Sequence, residues 1–130
     1  MGHGGYLTVI NDRSKPVRTY VTNFNCVFDN GQEGSNPSLF NDTEIPEKSR
    51  LPKSGKGQYI EGNKTGTCFF HEGRFTLKIE DASTGVLIGN VAFAATPELW
   101  HVSSDNTDLI DVYLNNNDDQ SLIKITLEDS

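Results

Sequence analysis

Between Phe75 and Leu127 the chain repeatedly alternates apolar with polar side chains, and this two-residue period limits what it can fold into more than any other feature. Phe75, Leu77 and Ile79 alternate with Thr76, Lys78 and Glu80, and Ile123, Ile125 and Leu127 alternate with Lys124, Thr126 and Glu128. Successive side chains on a strand point to opposite faces, so each run predicts a strand with one buried and one solvated face. No stretch of about 12 residues or more carries the i, i+3, i+4, i+7 stripe of an amphipathic helix, and no repeat or heptad is present. Helix content is expected to be near zero.

Turn-forming clusters divide the rest of the chain. Residues 6–10 read as a strand, and residues 17–28 as a longer one with Tyr20, Phe24, Cys26 and Phe28 on one parity, closed by Asn30-Gly31. Residues 31–56 read mostly as loop, with one short strand or pinned turn expected near residues 38–40. Connections beyond about 15 residues tend to be functional or to hide a poorly patterned strand. Residues 58–61 and 67–70 read as short strands split by a glycine-bounded turn, and residues 86–95, 99–103 and 109–114 supply three more. About eight short strands with Gly, Asn and Pro turns predict an all-β fold, a single-domain antiparallel β-sandwich spanning residues 1–130.

The formal charge of −7, from 18 acidic and 11 basic residues, opposes binding to nucleic acid or anionic lipid over any large face. The basic side chains are scattered, and the one cluster, Lys48, Arg50, Lys53 and Lys56, reads as solvated loop. No apolar run is long enough to span a bilayer, and the start, Met1-Gly2-His3-Gly4-Gly5, lacks the regions of a signal peptide, so a soluble protein is expected. Cys26 and Cys68 permit at most one disulfide. Both sit within two residues of a Phe in strand-like runs, and two reduced core thiols are the reading.

The sequence carries no nucleophile elbow, phosphate-binding loop, dinucleotide fingerprint or CxxC pair, so an enzyme is not expected. Cys68 and His71 lie three apart but lack the further ligands that zinc needs. Oxygen ligands are dense at residues 105–108 and 115–119, which makes Asp105, Asp108, Asp118 and Asp119 the candidate calcium ligands; no other cofactor is expected. Asn and Asp also recur in turns simply because they cap backbone groups. Trp100, Leu99, Phe93, Phe69, Phe70 and Tyr113 form a candidate aromatic patch for a membrane interface or a sugar face.

Read in order, residues 52–56, Gln58-Tyr59-Ile60, Gly73-Arg74-Phe75-Thr76-Leu77, Leu99-Trp100-His101-Val102-Ser103, Asn106-Thr107, Ile110-Asp111-Val112-Tyr113 and Ile125-Thr126-Leu127 resemble the aegerolysin family. The chain differs from that family at residues 92–97, where aegerolysins carry Cys and Trp. The resemblance implies a β-sandwich that binds a membrane lipid surface, sphingolipids in particular, and that in some members forms pores with a perforin-like partner.

On that reading Phe93 and Trp100 supply interfacial contact, Glu72 and Tyr113 touch the headgroup, and Lys53 or Lys56 meets a phosphate. The rival expectation is a calcium-linked or carbohydrate-binding adhesion protein working through the Asn/Asp loops. A structural protein without a ligand predicts instead that Trp100 is fully buried.

Overall fold

A computed structural model describes residues 3–31 and 33–130; Met1, Gly2 and Gln32, on which the readings of the chain's start and of its long connection partly fall, lie outside the described residues. Among the described residues ten strands form two five-stranded sheets with one apolar core between them. The first sheet holds β1 (Gly4–Asn11), β4 (Ser49–Leu51), β5 (Gln58–Glu61), β9 (Ile110–Asn115) and β10 (Ser121–Leu127). The second holds β2 (Val17–Asn25), β3 (Thr43–Ile45), β6 (Gly73–Asp81), β7 (Leu87–Ala95) and β8 (Trp100–Ser104), in the order β3-β2-β6-β7-β8. The chain is thus the all-β sandwich its alternation predicts. Among the described residues there is no α-helix, and none long and apolar enough to cross a membrane.

The alternation sets the core directly. Phe75, Leu77 and Ile79 of β6, and Ile123, Ile125 and Leu127 of β10, are all buried, while the residues between them reach solvent wholly or in part. Phe75 stacks on Phe93 with ring centroids 4.5 Å apart, and Trp100 meets Phe75 edge-on at 6.2 Å.

One pairing departs from the antiparallel expectation. β1 and β10 run parallel, from Gly5 opposite Ser121 to Asn11 opposite Leu127. β1 then carries both β5, on Gly4–Leu7, and β4, on Val9–Asn11, along its other side. The connection from β4 to β5 returns over the outer face of β1, where Gly57 (φ +131°) lies so close that a Cβ would fall 2.9 Å from the Leu7 nitrogen. That cover leaves Thr8, on the outward parity, only 2% exposed.

Other departures have local causes. The strand expected over residues 17–28 ends at Asn25, because the register shifts between Thr22 and Asn25 and both Asn23 (φ 51°) and Cys26 (φ 52°) turn left-handed. The shift destroys the parity, and Phe24 is left 42% exposed. The long connection holds the expected pinned turn, the 3-10 segment Pro37–Phe40 that buries Phe40, together with β3 and β4. Strands of three residues are too short to display a period. Residues 67–70, expected as a strand, form part of a second 3-10 turn, Gly66–Phe70.

The two cysteines are corrected as well. They are half-buried rather than core residues, and they form a disulfide across a sequence separation of 42. Cys26 lies just past the end of β2 and Cys68 inside the second 3-10 turn, so the bridge ties together two segments that no strand ladder holds. Closing a loop of this length restrains the unfolded chain, and the double variant C26S/C68S is expected to lose about 2–4 kcal/mol in urea denaturation. Its tryptophan fluorescence maximum, which reports the environment of Trp100, the one tryptophan, is expected to stay native in the absence of denaturant.

Candidate functional site

The end of the second sheet where β6 begins combines exposed aromatic rings with an open charged trough. Its most prominent part is the turn Gly66–Phe70, which interrupts the chain between β5 and β6. The turn is built by its own polar groups. Asn63 Oδ1 accepts from the Thr65 N–H at 2.9 Å and the Thr65 hydroxyl at 2.7 Å, and the Cys68 N–H donates to the Thr65 carbonyl at 3.0 Å. Lys64 Nζ donates to the His71 carbonyl, which closes the loop at its base.

Three further constraints fix this loop against the end of β2. The disulfide holds Cys68 to Cys26, the Asn63 N–H donates to the Cys26 carbonyl at 2.8 Å, and Val27 bridges to Gly62. Gly73 passes directly beneath, where a Cβ would sit 2.5 Å from the Cys26 carbonyl oxygen, so only glycine allows this approach. The result is a tip pinned on all sides that carries Phe69 at 64% exposure and Phe70 at 89%. The two rings pack against each other edge-to-face, with centroids 4.8 Å apart.

Beside the tip, the outer face of the second sheet forms a trough of about 440 Å³. Arg74 on β6 pairs with Ala94 on β7, which pairs with His101 on β8. The two long polar side chains therefore flank a methyl group, and Ala92, between Thr76 and Ser103, extends the low floor by one more row. Glu72 stands at the end of the trough nearest the tip, and Phe24 shares an adjoining cleft with Arg74. Among the described residues no ion pair engages Glu72 or Arg74.

This geometry reassigns the residues singled out from sequence. Glu72 is exposed and lines the trough. Phe93 and Trp100, expected at an interface, are interior at 1% and 0% exposure, and this expectation is corrected. Their parity on β7 and β8 matches the core, and Asn116 holds the Trp100 backbone through hydrogen bonds of 3.2 and 3.0 Å. Tyr113 is 48% exposed, but on the outer face of the first sheet beside Lys124, and Lys53 and Lys56 lie in the β4–β5 connection. Those three do not share a site with Glu72. Arg74, His101 and Phe24 were not singled out from sequence. Phe69 and Phe70 belong to the aromatic patch expected from sequence, but they stand on a 3-10 turn and not on the strand expected there.

The candidate calcium ligands are also dispersed. Asp105 and Asp108 belong to the β8–β9 connection and Asp118 and Asp119 to the β9–β10 connection, at opposite ends of β9. Among the described residues no three or more His, Cys, Asp or Glu side chains converge. Asp105 has a structural task instead, accepting from the Asn90 N–H at 2.7 Å and from Asn90 Nδ2 at 3.0 Å. Compared with protein-family models and with curated proteins, the chain matches neither a family model nor a curated sequence.

The Asn90 backbone N–H, then its side-chain amide, hold the Asp105 carboxyl below its ordinary pKa, and N–H groups of Ser83 and Thr84 do the same for Asp81. A folded-state pKa below the unfolded value contributes stability that is present above the ordinary carboxylate range and is lost as pH falls through the folded value. The urea midpoint is therefore expected to fall on acidification below that range. In D105N part of this dependence is expected to disappear, so that native and variant midpoints converge at low pH.

Proposed function

We propose that this protein is a membrane-lipid-binding β-sandwich that attaches through the Phe69–Phe70 tip, with a headgroup lying in the neighbouring trough. The exposure of two consecutive phenylalanines on a pinned turn carries this reading. Burial of Trp100 is what a ligand-free role also predicts, but such a role gives no reason for holding Phe70 in water. Rings presented on a rigid support enter an apolar phase without the entropy cost of ordering a loop.

The charges select the kind of surface. A net −7 disfavours anionic bilayers, while Glu72 and Arg74 on one trough offer both signs, as a zwitterionic headgroup requires. The aegerolysin resemblance narrows the proposed lipid to the sphingolipid class and makes a perforin-like protein the proposed partner for any lytic activity. Recognition, and not bond making, is the proposed role. Each Phe side chain contributes roughly 1.5–3 kcal/mol on full burial, so one tip alone gives weak attachment and lasting attachment needs several copies or that partner.

Sedimentation with vesicles tests this, since Trp100 lies inside the protein and is a poor reporter of contact. Binding is expected to sphingomyelin–cholesterol vesicles more than to phosphatidylserine vesicles, and F69S/F70S is expected to weaken it at least about tenfold while leaving the unfolding free energy from urea denaturation within about 0.5 kcal/mol of native. Native protein that stays in the supernatant with every vesicle composition removes the reading.

A further inference from the structure

The first sheet carries a second concave site, separate from the aromatic tip. A cleft of about 460 Å³ opens on its outer face. Tyr6 and Leu122, opposite one another in the parallel β1–β10 ladder, form its floor. The β9–β10 connection, residues 117–120, forms one wall, and Lys56 closes another side with its Nζ 4.3 Å from the centre of the Tyr6 ring. Tyr59, paired with Tyr6 in the β1–β5 ladder, packs edge-on to it at 5.5 Å, and its hydroxyl donates to Glu61 Oε1 at 2.5 Å, which fixes the aromatic floor from the side.

The wall divides into residues that build it and residues that do nothing for it. Asn115 Oδ1 accepts from the Asn117 N–H at 2.8 Å, and Asn116 is tied to the Trp100 backbone. Among the described residues no side-chain hydrogen bond or ion pair engages Asp118, Asp119 or Gln120, although all three line the cleft. The fold thus holds two carboxylates and an amide over an aromatic floor, and opposes them with one ammonium.

The charges then select the ligand. An anion meets Asp118 and Asp119, and a cation drawn to those carboxylates meets the Lys56 ammonium, which also covers the face of Tyr6. A neutral polyol suffers neither conflict. Its hydroxyls donate to the carboxylates and accept from Lys56 and the Gln120 amide, while its C–H edges rest on Leu122 and the rim of Tyr6. We propose that this cleft is a calcium-independent binding site for a neutral saccharide, distinct from the lipid-docking tip.

An array of printed neutral, sialylated and sulfated oligosaccharides, probed with the full chain in EDTA, tests the assignment. Native protein is expected to bind neutral members only, and D119A/Q120A to bind them at least about tenfold more weakly with an unchanged urea midpoint. F69S/F70S is expected to bind them as native does, so failure of the lipid reading leaves this result intact. Absence of binding to every neutral oligosaccharide overturns the proposal, as does preference for an acidic one, a requirement for calcium, or equal binding by D119A/Q120A.

Discussion

The parallel ladder between β1 and β10 is the constraint on which the rest of the molecule hangs. It joins the two ends of the described chain, and every other strand of the first sheet attaches to one of these two, β4 and β5 to β1 and β9 to β10. Its register sets both faces at once. Leu7 and Val9 lie opposite Ile123 and Ile125 on the inward parity, and Tyr6 lies opposite Leu122 on the outward one. A slip of one residue would exchange these sets, exposing the core row and burying the polar one. The ladder is also non-local to the greatest degree the chain allows, so loop-closure entropy must be overcome before its contacts form.

How far the fold was legible follows from where a period exists. β6 and β10 are long enough, and polar enough on one face, for alternation to reveal both strand and inward side. β2 failed halfway, because a bulge inserts residues that no parity count anticipates. The direction of the β1–β10 pairing was invisible, since a strand's own pattern is the same whichever way its neighbour runs. The disulfide was hidden for a related reason. Cys26, on one parity with Phe24 and Phe28, and Cys68, next to Phe69, both resemble core residues, and only the turn Gly66–Phe70 brings Cys68 to the end of β2.

The site was legible only in fragments. Trp100 shares parity with Val102, opposite His101 and Ser103, so its inward direction was readable from sequence. Phe93 was not, because Val91, Ala92, Phe93, Ala94 and Ala95 are apolar on both parities and only the pairing with Phe75 chooses between them. The small side chains of Ala92 and Ala94 are what open the trough, yet an alanine in a strand gives no sign of the residues that will flank it. Gly73 shows the same limit: the need for glycine arises from the Cys26 carbonyl, which is remote in sequence.

Among the polar residues of the connections and strand ends, internal satisfaction separates residues that hold the fold from those that do not better than residue type does. Asn11 is fully buried and donates to the carbonyls of Lys15, Ile45 and Pro46; Asn106 donates to that of Ile88 at 2.7 Å; Asp81 accepts from the N–H groups of Ser83 and Thr84. Each completes backbone hydrogen bonding that a turn would otherwise leave open, and each would be costly to remove. Glu72, Asp118, Asp119 and Gln120 are of similar chemical type but, among the described residues, engage no side-chain hydrogen bond or ion pair, and they stand beside concave surfaces. Water satisfies such groups at no cost to the fold, so stability does not constrain their identity. On the two proposed readings, what constrains them is the ligand of the hollow they face.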